Sequence, residues 1–244
     1  MSGDEALPKP RSDLGLRTLS GIAMLALALG AIWFGGWFFG GLIASVAVGV
    51  FFEWIKLVRG FVTNSGGRGL WYLGGAGYIG MACFALLTLG GVLPSHTERG
   101  IIPALSLIAM VIGTDIGAYF AGRTFGGPKI APRISPSKTW SGLFGGMTGA
   151  AVMLALTSSE QFYQFWTDQN VDFQPVGILP TVFAGVVVAA TAQAGDFFES
   201  WMKRRAGMKD SGSLIPGHGG LFDRVDGLLG VSFIAGILIL AGVA

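Results

Sequence analysis

From residue 18 to residue 52 the chain carries no charged side chain over 35 consecutive positions. A water-facing fold has no place for such a run, because about 20 apolar residues in a helix already span the hydrocarbon of a bilayer. Further uncharged runs cover residues 69–95, 139–159, 173–195 and 227–244, and residues 100–122 differ only by one acid, Asp115. These runs are continuously apolar rather than alternating, which argues for helices and against strands. With the first run folded as two short spans turning near Gly35-Gly36, the pattern predicts an all-α, polytopic membrane helix bundle of about seven transmembrane spans. Composition agrees. Only 12% of the residues are charged, against about 25% in an average soluble protein, and 41 glycines suit membrane helices whose backbones approach through small residues.

The placement of charge orients the bundle. With the N-terminus inside, the cytoplasmic segments hold Lys9, Arg11 and Arg17, then Lys56, Arg59 and Arg68. Arg123, Lys129, Arg133 and Lys138 follow, and finally Lys203, Arg204, Arg205, Lys209 and Arg224. Of the 16 basic residues only Arg99 falls outside, and the longest outside loop carries Glu160, Asp168 and Asp172 with no basic residue. Basic residues collect in cytoplasmic loops, so the reading is N-in/C-out. Residues 1–17, polar and holding Pro8 and Pro10, are expected to form a disordered cytoplasmic tail rather than a cleavable signal. Residues 18–244 then make a single transmembrane domain whose cytoplasmic loops, 123–138 and 196–226, carry the chemistry. Cys83 lies inside an apolar run and reads as packing, which excludes a disulfide framework or a thiolate metal site.

The first loop holds Arg123, Lys129, Arg133 and Lys138 with no acid among them. Pro128, Pro132 and Pro136 forbid a continuous helix, and Gly126-Gly127 permits a tight turn. Ser135, Ser137 and Thr139 add hydroxyls, so the loop suits an anionic phosphate; contact with anionic lipid headgroups is the blander use of the same charges. Asp115 lies roughly 10 Å down a helix from the interface at 1.5 Å per residue. An acid at that depth normally faces a polar interior.

In the second loop Asp196, Glu199, Ser200 and Lys203 fall at i, i+3, i+4 and i+7, one face of a helix. Asp223 and Asp226 are again three apart, where the last span begins. Carboxylates grouped in this way suit a hard, oxygen-ligated cation such as Mg²⁺. Lys203, Arg204 and Lys209 stand beside them, and the stretch from Gly217 through His218 to Gly220 offers backbone amides near a helix start. Metal, cations and free amides are the requirements of phosphoryl or nucleotidyl transfer. His218 has no companion histidine and reads as a positioning or hydrogen-bonding group.

This stretch resembles the signature of the phosphatidate cytidylyltransferases, or CDP-diacylglycerol synthases. The matching residues are Ser200, Lys203-Arg204, Lys209-Asp210, Gly212, His218-Gly219-Gly220 and Asp223-Arg224-Val225-Asp226, at the family's spacing. Asp115, Gly122-Arg123 and the run from Ser135 to Trp140 are similar to a second block of that family, so the likeness covers residues 114–230. The departure is length, since bacterial members commonly carry more N-terminal spans. The resemblance implies the reaction of CTP with phosphatidate to give CDP-diacylglycerol and pyrophosphate, with Mg²⁺ and a second cation as cofactors. It implies catalytic roles for Asp196, Lys203, Arg204, Lys209, His218, Asp223, Arg224 and Asp226, with Asp196, Asp223 and Asp226 as metal ligands. Asp115, Arg123, Ser135, Ser137, Lys138, Thr139, Ser200, Gly219 and Gly220 are the implied substrate contacts. CTP, phosphatidate and membrane lipid are then the partners, with no nucleic acid, and the family suggests a homodimer. The implied location is the bacterial cytoplasmic (inner) membrane, multi-pass, with the site facing the cytoplasm.

Two rival enzymes fail on sequence. A CDP-alcohol phosphotransferase needs Asp-Gly followed by Ala-Arg and later aspartates, whereas Asp226-Gly227 precedes Leu228-Leu229 and no acid follows. A nucleotide-binding P-loop is absent. The non-enzymatic alternative is a transporter or channel for a phosphate-bearing solute. Such proteins gather ionisable groups at the midplane of internal repeats, while this chain gathers them at one face and shows no repeat.

Overall fold

The computed structural model describes residues 14–93, 100–167 and 176–243. In chain order these form α1 (Leu14–Phe34), α2 (Gly36–Phe61), α3 (Ser65–Leu89), α4 (Ile102–Thr124), β1 (Lys129–Ala131) and β2 (Ser135–Thr139). There follow α5 (Trp140–Thr157), α6 (Glu160–Thr167), α7 (Ile178–Ala206) and α8 (Phe222–Leu240). Helices α1 to α5 and α7 are long and apolar enough to cross a membrane. Helix α8 stands apart because Asp223, Arg224 and Asp226 fill its first two turns; it is uncharged from Gly227 onward and packs along α3 and α7. Trp37, Leu70, Leu73, Leu179 and Phe183 lie exposed on the outer faces, which is the surface of a protein solvated by lipid. The chain is therefore an all-α polytopic membrane protein.

The predicted break in the first uncharged run is present. Gly35 and Gly36 have φ of 59° and 46°, a region that side chains avoid and glycine enters freely. Helix α1 begins at Leu14, four residues ahead of the expected span, while the rest of the expected tail, with Arg99, Asp168 and Asp172, lies outside the described residues.

The second charged loop is shorter than expected. Helix α7 does not stop at Gly195 but continues through Asp196, Glu199 and Lys203 to Ala206. Basic side chains in its last turn favour the negative end of the helix dipole. Gly207, at φ 66°, ends it, and the Met208 amide returns to the Lys203 carbonyl at 2.9 Å. The second loop proper is thus 207–221. In the first loop β1 and β2 pair as a short antiparallel hairpin, Lys129 opposite Thr139 and Ala131 opposite Ser135. Its turn closes with the Ile134 amide on the Ala131 carbonyl at 3.0 Å. Proline excludes the helix here, and a two-stranded ribbon is the local alternative.

Helices α4 and α5 meet along a seam of glycines. A Cβ on Gly117 would stand 2.2 Å from the Gly145 carbonyl oxygen, and one on Gly149 would stand 2.1 Å from that of Gly113. Only backbone fits between them, which brings the hairpin joining the two helices against their common end. A second close approach, Gly195 against the Asp226 carbonyl, joins α7 to α8.

The start of α1, the α2–α3 turn, the hairpin and the α7–α8 loop share one end of the bundle. Gly60 touches Ala206, Gly217 touches Arg17, and Arg204 Nε donates to the Ile134 carbonyl at 3.5 Å. Apart from Lys9, Arg11 and Arg99, which lie outside the described residues, every basic residue is at this end.

Candidate active site

The face of α7 predicted from spacing is turned toward α8. Lys203 reaches across, with Nζ 2.6 Å from Asp223 Oδ1 and 2.6 Å from Glu199 Oε2. Glu199 is fully buried, and its Oε1 has no hydrogen-bond partner among the described residues. A buried carboxylate with one free oxygen is costly unless a cation or donor completes it. One turn toward the membrane interior, Asp196 pairs with Lys138 from the hairpin and accepts from Ser200 Oγ at 3.3 Å. Asp115, Asp196 and Asp226 interact electrostatically with one another, and Lys138 stands among them. Two levels result: Lys203 with Glu199 and Asp223, and Lys138 with Asp115, Asp196 and Asp226.

The α7–α8 loop is folded down onto the start of α8. The Ile215 amide donates to the Gly219 carbonyl at 3.1 Å and that of His218 to the Ile215 carbonyl at 3.0 Å. His218 Nδ1 lies 2.9 Å from Ser20 Oγ of α1, and its carbonyl accepts from the Arg224 guanidinium. Of the amides expected to be free for phosphate, those of His218 and Gly220 are used internally. Asp223 Oδ2 accepts from the amides of Ser211 at 2.8 Å and Gly220 at 3.0 Å. Glu53 of α2 takes the next two, Leu221 at 3.0 Å and Phe222 at 2.8 Å. The Ser211 hydroxyl lies 2.8 Å from both carboxylates.

Two cavities flank these groups. One, of about 330 Å³, is lined by Asp115, Tyr119, Arg123, Ser137, Lys138 and Thr139, and by Gln193, whose buried Oε1 has no partner. Arg123 donates to the Tyr119 hydroxyl at 2.8 Å. Thr139 caps α5, accepting from the Gly142 amide at 3.1 Å, and Ser135 is buried 3.5 Å from Ser137. The other cavity, about 410 Å³, is apolar and bounded by α1, α2, α3 and α8, with Met24, Leu27, Val46, Leu86 and Leu228 on its walls. Among the described residues Arg224 is the single charged one on that wall.

Residues 71–241 match the model of the cytidylyltransferase family. The chain belongs to that family. A phosphatidate cytidylyltransferase of Brucella melitensis is 34% identical over 89% of this chain and 90% of its own length. One from Rickettsia bellii is 33% identical over 92% and 90%. A Haemophilus influenzae protein of the same name is 40% identical over 59% of this chain and 52% of itself.

Within the cytidylyltransferase fold, the implied site residues fall into groups. Asp196, Ser200, Lys203, Asp223 and Asp226 converge between α7 and α8, and Asp115, Arg123, Ser137, Lys138 and Thr139 line the polar cavity beside them. Arg204 and Lys209 are exposed at the rim. His218 is tied to α1, Gly220 is bonded to Asp223, and Gly219, at φ 83°, shapes the turn. No three His, Cys, Asp or Glu side chains form a preformed metal cage among the described residues. The donor chemistry nevertheless suits a hard cation: the oxygens around Lys138 are carboxylates, the ligand type Mg²⁺ prefers. Asp223 fits less readily, since both its oxygens already accept from protein donors. Glu53 and Gln193 escaped the sequence reading. Glu53 is the first acid after the long uncharged run, a signal of intramembrane placement; Gln193 carries no charge and gave none.

Proposed function

We propose that this cytidylyltransferase transfers CMP from CTP to phosphatidate, giving CDP-diacylglycerol and pyrophosphate, at the cytoplasmic face of a bacterial inner membrane. The observation that carries this reading is the pair of unlike cavities on the two sides of the α7–α8 face. A polar, cation-bearing one suits a nucleoside triphosphate, and an apolar one ending at Arg224 suits the acyl chains of a lipid whose headgroup is a phosphate. In the reaction a phosphatidate oxygen bonds to the α-phosphorus of CTP and the bond to the bridging β-oxygen breaks. Phosphate is already ionised at neutral pH, so no general base is required, consistent with His218 being engaged by Ser20. Lys203 and Arg224 neutralise the lipid phosphate, and Lys138 and Arg123 the triphosphate, with Arg204 and Lys209 guiding anions at the rim. Asp196 and Asp226 would hold Mg²⁺, Asp223 being engaged by Lys203 and the loop amides, and the ion would supply charge neutralisation on the leaving pyrophosphate. A second cation and a homodimer remain part of the family-based proposal.

The test supplies detergent-purified protein with phosphatidate, α-labelled CTP and Mg²⁺ and follows label into the lipid phase. Metal-dependent transfer that EDTA stops and Asp196→Asn lowers by about 100-fold or more is the expected result. Folded protein that never labels lipid above background overturns the reaction. Orientation is read separately: a thiol reagent confined to the cytoplasmic side is expected to label Arg133→Cys in a Cys83→Ser background, and labelling only from the opposite side would reverse the topology.

A further inference from the structure

We infer that Glu53, in α2 and outside both charged loops, is the positioning residue that fixes Asp223 and, through it, Lys203; the inference rests on the function proposed above. Glu53 is 3% exposed and has no basic side chain within ion-pair distance among the described residues. Its charge is met by donors alone. The amides of Leu221 and Phe222 and the hydroxyl of Ser211 all point at it, at 3.0, 2.8 and 2.8 Å. Those amides are the start of α8, where the positive end of the helix dipole favours an anion. Leu221, at the N-cap position, makes no side-chain cap of its own, so the cap arrives from another helix.

A carboxylate is the group that three converging donors require. An amide there would turn N–H toward at least one of them and leave two donors facing each other. The surrounding backbone is built around the acid. A Cβ on Gly212 would stand 2.2 Å from Glu53 Oε1, and one on Gly220 would stand 2.7 Å from both Glu53 Oε2 and Asp223 Oδ2. Ser211 links the two acids, its hydroxyl 2.8 Å from each and its amide on Asp223. Asp223 in turn presents Oδ1 to Lys203. The order of support runs from α2 through Ser211 to Asp223 and on to Lys203, and Glu53 itself need touch no substrate.

Glu53→Gln, Ser211→Ala and the double variant are compared with the parent by transfer kinetics, thermal unfolding and amide hydrogen exchange. Loss of such a supporting contact is expected to lower kcat by about 10- to 100-fold in Glu53→Gln, with both KM values within about twofold. The Leu221 and Phe222 amides, protected in the parent, are expected to exchange faster in the variant. Ser211→Ala is expected to fall in the same direction, and the double variant to lose little beyond Glu53→Gln, as members of one network do. A folded Glu53→Gln that keeps kcat within about twofold, or one whose loss merely tracks the unfolded fraction, overturns the inference. Should Glu53→Gln not fold, an unchanged kcat in Ser211→Ala overturns it instead. A parent without transfer activity sinks the proposed reaction alone, because exchange at Leu221 and Phe222 still reports the clamp, and fast exchange there in the parent would refute it.

Discussion

Lys203 is the residue on which the site's charge balance turns. Its ammonium stands 2.6 Å from both Glu199 and Asp223, and Glu199 has no exposure to solvent. Replacing it by methionine leaves an uncompensated carboxylate in the interior, a change that typically costs about 3–5 kcal/mol. Lys203→Met is therefore expected to unfold well below the parent in a detergent melt. Adding Glu199→Gln removes one of the two carboxylates left without a cation, the more deeply buried one, so part of the lost melting temperature is expected to return while activity does not. A double variant no more stable than Lys203→Met would show that the pair is not what holds this level together. The spacing of Asp196, Glu199 and Lys203 revealed the shared face without coordinates, because a helical period fixes which residues look the same way. It could not reveal that Asp223 spends both oxygens on protein donors, since those donors lie in a loop whose path is set by tertiary contacts.

At the level of elements, the seam between α4 and α5 explains a share of the glycine content. Gly117→Ala places a methyl where 2.2 Å separates it from the Gly145 oxygen, and overpacking of this kind costs about 1–3 kcal/mol. Gly77 and Gly80 on α3 have nothing within 4 Å of an added Cβ, so alanine there is expected to leave the melting temperature unchanged. Equal effects at the two kinds of position would refute close packing as the reason for the seam. Thr139, which caps α5, is expected to lose about 1 kcal/mol as valine. The hydrophobic runs located most of the helices, because crossing a bilayer demands length and uniform apolarity. The hairpin was not foreseen, since the prolines say only that no helix forms. The extension of α7 to Ala206 was likewise hidden, because charged side chains at a helix end look like a loop when read by hydropathy alone.

On the scale of the whole molecule, the two cavities make separable demands. Filling the apolar one from α1, as in Ala28→Phe, is expected to raise the KM for phosphatidate roughly tenfold and leave that for CTP in place. An equal rise in both would mean that the substitution distorts the shared face between α7 and α8 rather than the lipid seat. Which loop serves which substrate was not legible in the sequence; the assignment proposed above rests on where the chain returns, with α1 and α2 closing the apolar side and the hairpin closing the polar one. The Glu53 anchorage has a consequence for how the protein is made. Helix α2 leaves the ribosome long before Ser211, Leu221 and Phe222 exist, so every nascent copy carries a lone carboxylate in its half-built interior until the last helix arrives. Completion of synthesis is thus written into the energetics of an early segment. A version ending after Gly207 is expected to turn over faster in a pulse–chase than the same truncation carrying Glu53→Gln, and equal lifetimes would deny that link between an unfinished chain and its removal.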